Sequence, residues 1–315
     1  MKLSTEEEYE DLLGQWANLE SALHISLHHA QRTEAFAERI TQYCSWMRSL
    51  LKHDPDLGLY LLFQVASNSS AGYSASHALV CAVLCDLVAK DCALNASEHN
   101  TLVVAALTMN LGMTQLQDVL ALQKHPPSEQ QKTEIQNHPQ KSVEMLKALG
   151  LSENLLLQTV ARHHRDDTSH QPLCALAAED RLSFILQRVD RYAAKISPRQ
   201  TRAGLDPQQS INSGLVEGNA VTTQVSQSLK SVVGTSPPGT LVQLDDGSTA
   251  MVRKRGALTD QPEVVVLTDH QGQRIRPLRL HRTAHGGPQI EQAVAFAAAA
   301  LTERLSHHQI LRLAA

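Results

Sequence analysis

The stretch Ala-Ala-Leu-Thr-Met-Asn-Leu-Gly-Met occupies residues 105–113, which we call the central segment. It carries no charged side chain, yet residue types that bind divalent metal ions stand on both sides of it. These flanking residues are His77, His138, His163, His164 and Asp190. The sequence therefore indicates a metal-ligand frame whose central segment supplies no ionic ligand.

The order and spacing of this frame resemble the HD-GYP branch of the HD phosphohydrolase superfamily, whose members typically hydrolyse the bacterial messenger cyclic di-GMP. The likeness runs from about residue 57 to residue 281 and includes the motif 189–194 and the Pro-Pro-Gly-containing stretch 236–244. It implies a mainly α fold, namely an HD-domain helical bundle with a small C-terminal β element and a terminal helix.

The resemblance places the family's central His-Asp pair at Met109 and Asn110, and a family Lys at Met113. It therefore implies that the catalytic positions are lost. Two-metal hydrolases hold their ions roughly 3.5–4 Å apart, and two cations that close need an anionic bridge. An Asn side chain carries no charge and a Met thioether suits soft metals, so neither can replace the family's ligands.

Other family positions also differ in this chain. Tyr73 stands where a Glu ligand is common, Ser142 replaces a Gly, and Arg165 replaces a Glu. The Gly-Tyr-Pro element is replaced by residues 168–172, which keep only the proline. The order of the family's motifs is thus kept in this chain, whereas several residues within those motifs are replaced.

By the same resemblance, His77 and Asp190 belong to a first metal site, and His138, His163 and His164 to a second. The first site needs both missing residues, whereas the second needs only the bridging Asp. Because three histidines can hold one divalent ion, we expect either no metal cofactor or one ion, such as Fe or Mn, in a residual site. The alternative is a set of relic side chains hydrogen-bonded to one another.

Three arginines near the frame are candidates for binding the phosphates of a ligand: Arg162, Arg165 and Arg199. A guanidinium group pairs with phosphate oxygens through two parallel hydrogen bonds. Ordinary surface charges are the common alternative for such residues.

Another histidine group, His24, His28 and His29, has partial i, i+4 spacing on the first predicted helix. Metal binding needs acidic or thiolate partners that the neighbouring sequence does not offer. We therefore expect these to be solvated surface histidines. Cys81 and Cys85, one helical turn apart, are expected to be small buried core residues.

Composition excludes several classes of protein. The 315 residues are 42% hydrophobic and 19% charged, with a net charge of −4 and no arm of clustered Lys or Arg, which argues against a nucleic-acid partner. We identify no apolar run of about 18 residues, so we expect no membrane partner. Five cysteines without zinc-site spacing, and an acidic, polar N-terminus, predict a cytoplasmic location.

Patterning predicts four segments. These are an N-terminal helical region at 1–66, an HD-GYP-like helical domain at 67–232, a small β element of three or four strands at 236–281, and a C-terminal helix at 288–315. Within the second segment, Ser97 and Ser152 are predicted helix N-caps, and Gly150 a helix end.

These observations favour a degenerate, non-hydrolytic HD-GYP-like protein that binds or signals in cyclic di-GMP networks. Its implied partners are cyclic di-GMP and signalling proteins, including active enzymes for which it would act as a partner or decoy; a homodimer stays open. One alternative is an active metal-dependent cyclic di-GMP phosphodiesterase or other phosphohydrolase. A second is an interaction scaffold without nucleotide binding.

Overall fold

The computed structural model describes residues 5–67, 72–165, 171–196, 220–294 and 306–313. Within these ranges the helices are, in chain order, α1 (Glu6–His28), α2 (Phe36–His53), α3 (Pro55–Ser67), α4 (Tyr73–Asp91), α5 (Ala96–Thr108), α6 (Thr114–Leu122), α7 (Glu129–Ala148), α8 (Asn154–Arg162), α9 (Ala178–Ile196), α10 (Ala220–Val233) and α11 (His307–Arg312). A small antiparallel sheet lies between α10 and α11. This architecture confirms the predicted fold class.

The sheet has the strand order β4-β3-β2-β1-β5. Its strands are β1 (Leu241–Leu244), β2 (Thr249–Lys254), β3 (Glu263–Thr268), β4 (Arg274–Arg282) and β5 (Ile290–Ala293). Alternate side chains point to opposite faces. Leu241, Met251 and Val265 join the main core with the helices, whereas Val242 and Val264 belong to a separate small cluster.

The C-terminal helix predicted at 288–315 is wrong at its start. Ile290–Ala293 form β5, which extends the sheet by pairing Gln243 with Gln292 and Val242 with Ala293. The sheet consequently has five strands in the described ranges, and it reaches beyond the predicted limit at residue 281. In the described part of residues 288–315, a helix is present only at His307–Arg312.

Side-chain caps explain where several helices begin. Asn95 accepts a hydrogen bond from the backbone N–H of Glu98, and the Glu98 carboxylate accepts one from the N–H of Asn95, which forms a capping box at α5. The predicted cap at Ser97 is therefore wrong. The predicted cap at Ser152 is also wrong, because Glu153 is the N-cap residue of α8. Gly150 follows α7 with a φ of +86°, which confirms its predicted position at a helix end.

Helix α4 is the central element of the core. Cys81 and Cys85 are fully buried on it, as predicted. By length and composition α4 could cross a membrane, which corrects the expectation that no such run exists. However, 89% of its apolar window is buried inside the fold, so packing against neighbouring helices accounts for its composition.

The N-terminal helices share this core. Trp16 and Leu19 of α1 are at most 1% exposed and belong to the same apolar cluster as α4. Arg48 of α2 and His99 of α5 both donate hydrogen bonds to Asp86, which is buried on α4. The division of the helical part into segments at 1–66 and 67–232 stays a prediction.

Candidate metal centre

Three histidines from α7 and from the turn after α8 meet in one place, and we call them the three-histidine cluster (His138, His163 and His164). His138 lies on α7, while His163 and His164 follow the last residue of α8. One ligand atom from each residue lies within 4.8 Å of the other two. His138 and His163 are fully buried, and His164 is exposed. The structure therefore brings these three residues together, and their binding of a metal ion stays a prediction.

Backbone carbonyls fix the orientation of the two buried rings. Nδ1 of His138 donates to the carbonyl of Ile135, and Nδ1 of His163 donates to the carbonyl of Val160 at 2.6 Å. Burial lowers the pKa of His138 to about 4 and that of His163 to about 3, so both rings are neutral at pH 7. Each Nε2 consequently carries a free lone pair.

These two Nε2 atoms lie 3.1 Å apart. Two lone pairs at this distance repel each other unless a proton or a cation lies between them. Imidazole nitrogens bound to one ion at ~2.0–2.1 Å are about 3.0–3.4 Å apart, which matches the observed separation. A ring that donates Nδ1–H to a carbonyl is also the usual arrangement of a metal-binding histidine.

His77 and Asp190 form a second pair. Nε2 of His77 donates to Oδ1 of Asp190 at 2.8 Å, and Tyr73 stacks on the His77 ring. Burial alone would raise the pKa of Asp190, but the hydrogen bond from His77 holds that pKa below its ordinary value. The Cys81 sulfur lies 3.5 Å from His77 Nε2, a contact that the sequence analysis missed although one helical turn separates the two residues. Burial raises the pKa of the Cys81 thiol, which makes it a poor ligand.

The central segment is packed tightly against α7. Met109 is 1% exposed and belongs to the apolar core. Ser142 donates to the Met109 carbonyl at 2.8 Å and accepts from the Gly112 N–H at 2.9 Å, so the residue that replaces the family's Gly ties this segment to α7. Oδ1 of Asn110 is buried and has no hydrogen-bond partner among the described residues.

The donor set fits one metal ion and does not fit two. Three imidazoles, two of them pre-oriented, can bind a single divalent ion with an open coordination position. A second ion nearby would need an anionic bridge, and Asn110 supplies only a neutral oxygen. Met109 lies in the apolar core and offers no ligand for iron, manganese or magnesium.

Two of the arginines proposed for phosphate binding lie within ion-pair distance of acidic side chains. Arg162 pairs with Asp180 at 2.8 Å and with Glu179 at 3.8 Å, and Arg165 lies 3.8 Å from Asp180. A phosphate would have to compete with these carboxylates. Arg199 lies outside the described residues, and the role of all three in binding phosphate stays a prediction.

The expectation of solvated histidines on α1 is wrong for two of the three. His24 and His28 are partly buried, while His29 is exposed. Asp118 of α6 supplies the acidic partner, with 2.8 Å between His28 Nε2 and Asp118 Oδ2. These residues are 90 positions apart, so their contact carries no local sequence signal.

No model of a known protein family matches this chain. No curated protein matches it either. Among solved structures, the chain is similar to one described as an HDG"Y"P protein from Bdellovibrio bacteriovorus, with 10% sequence identity, a TM-score of 0.50 and coverage of 70% of each chain. At this identity the similarity shows the fold alone, and that fold is the one implied by the sequence motifs.

Proposed function

We propose that this chain, which has the HD-GYP fold, is a catalytically degenerate member of that group that binds or signals in cyclic di-GMP networks without hydrolysing the messenger. The observation that carries the proposal is the central segment, where Met109 and Asn110 stand in place of the His-Asp pair. Met109 is buried in the apolar core and Asn110 is uncharged. A partner or decoy of active enzymes would retain the fold and need no hydrolytic centre.

The physical argument rests on the attacking water. A metal ion lowers the pKa of its bound water from 15.7 to about 7 in the best-known cases, and a pair of ions also clamps the phosphate oxygens. Without the bridging carboxylate the second ion has no place. Met113 also removes a positive charge where the family's Lys would stabilise the transition state.

An active phosphodiesterase with a rearranged site is the second candidate. The feature that favours it is the pair of facing Nε2 atoms of His138 and His163, which suits one bound ion. An interaction scaffold is the third candidate, and the pairing of Arg162 with Asp180 favours it because that pairing reduces the positive charge available to a phosphate.

We expect the full-length protein to bind cyclic di-GMP and to return it intact. Equilibrium dialysis with cyclic di-GMP, followed by chromatography of the recovered nucleotide, measures both properties. Substitution of either Arg162 or Arg165 by Gln should weaken binding by about 1.5–3 kcal/mol, because a lost charge-assisted hydrogen bond costs roughly that much. Arg39→Gln is the matched control, since Arg39 is an exposed arginine on α2.

Each result separates the three candidates. Bound and intact nucleotide supports the binding role. Absence of binding in the folded protein supports the scaffold, and recovery of a linear product supports the phosphodiesterase.

A further inference from the structure

A second group of metal-ligand residues lies apart from the three-histidine cluster, on other helices. His24 and His28 are one turn apart near the C-terminal end of α1, so their side chains share one face of that helix. Their ring centroids are 4.2 Å apart. Both side chains are partly buried, and Nδ1 of His24 is buried with no hydrogen-bond partner among the described residues.

Asp118 of α6 completes the group and is held rigidly. Its Oδ1 accepts from the backbone N–H of Ser74 at 2.6 Å, and its Oδ2 accepts from the Ser74 hydroxyl at 3.1 Å. Oδ2 also lies 2.8 Å from Nε2 of His28. The carboxylate is thus fixed between the beginning of α4 and the end of α1, and a metal ion would find its acidic ligand already positioned.

We propose that His24, His28 and Asp118 form a binding site for one divalent transition-metal ion, such as Zn²⁺, that ties α1 to α4 and α6. One ligand atom of each residue lies within 4.8 Å of the other two. Two imidazoles and one carboxylate are a common ligand set for such ions, with solvent in the open position.

The proposed site lies beside a cleft that the central segment also lines. His28 also lines a cleft of about 500 Å³ between α1 and α7. Gly112 and Met113 of the central segment line the same cleft, together with Arg32 and Lys141. A bound ion would therefore fix the N-terminal helix beside the central segment. The inference does not depend on cyclic di-GMP binding, because none of its three ligands belongs to the three-histidine cluster.

The competing explanation is that the hydrogen bonds among His28, Asp118 and Ser74 link the helices without any metal ion, an arrangement that we call the clamp. A variant at His24 distinguishes the metal site from the clamp. His24→Ala removes one proposed ligand and leaves the His28–Asp118–Ser74 hydrogen bonds in place. We expect the metal-stripped full-length parent to bind Zn²⁺ at this site, and His24→Ala to bind it at least ~10-fold more weakly. His29→Ala, at an exposed neighbouring histidine, should bind as the parent does.

The measurement is zinc titration against a chromophoric competitor, with stoichiometry checked by mass spectrometry. His163→Ala removes a ligand of the three-histidine cluster and should keep the zinc ion bound at the α1 site. If His24→Ala binds as much zinc as the parent, with equal affinity, the proposal is overturned and the clamp remains. Should His24→Ala fail to fold, Asp118→Asn provides the same test, because its amide oxygen can still accept from Ser74 while the ligand charge is lost.

Discussion

The double variant Met109→His with Asn110→Asp should bind one more divalent ion per chain than the parent. The change restores the two residue types that the frame lacks, a histidine for the first site and a carboxylate that bridges to the second. His77 already contacts Asp190, and the members of the three-histidine cluster already lie together. Metal analysis by mass spectrometry after anaerobic reconstitution with Fe²⁺ or Mn²⁺ provides the measurement.

The single variant Asn110→Asp is the informative control for this rescue. It adds a charge where Asn110 Oδ1 is buried, so it should destabilise the metal-free protein and regain stability when metal is added. Catalysis should return less readily than metal uptake, because Tyr73 and Met113 still differ from the family. A folded double variant that binds no more metal than the parent would mean that the pocket has been remodelled.

Substitution of Gly112 by Ala should lower the free energy of unfolding by about 3–5 kcal/mol, since it combines overpacking with the loss of two hydrogen bonds. An added Cβ would lie 2.8 Å from the carbonyl oxygen of His138 and 2.9 Å from the backbone nitrogen of Ser142. Backbone atoms cannot move aside as a flexible side chain can. The central segment would separate from α7, and Ser142 would lose its contacts with Met109 and Gly112.

Denaturant unfolding followed by circular dichroism measures this loss, with Gly14→Ala as the matched control. Gly14 sits inside α1, and apart from its chain neighbours and the backbone of its own helix no atom of the described residues lies within 4 Å of the position of an added Cβ. Alanine should therefore stabilise that helix by about 0.5–1 kcal/mol. A Gly112→Ala protein as stable as the parent would show that the contact between the central segment and α7 is loose.

Much of the frame could be predicted from the sequence because each ligand sits at a recognisable place in a motif. The hydrogen bond between His77 and Asp190 confirms one such expectation, although 113 positions separate the two residues. The order of the motifs along the chain is the feature that related these two distant residues. No comparable motif linked His28 to Asp118, so only the packing of α1 against α4 and α6 brings them together.

The errors at element ends have local and tertiary causes. At α5, the N-cap residue is Asn95 and not Ser97, because Glu98 lies three residues after Asn95 and completes a capping box. At the C-terminus, residues 290–293 adopt an extended conformation because the edge of β1 offers unpaired backbone groups. Pairing with a strand distant in sequence overrides the local helical preference there.

Turnover of cyclic di-GMP by the full-length protein, reconstituted with Mn²⁺ or Fe²⁺, tests the central claim most directly. The parent chain and His163→Ala are incubated with the nucleotide, and linear products are separated by chromatography. The loss of the bridging carboxylate at Asn110 predicts no product above the protein-free background for either protein. Metal-dependent turnover by the parent that disappears in His163→Ala would contradict the account and establish a working hydrolase.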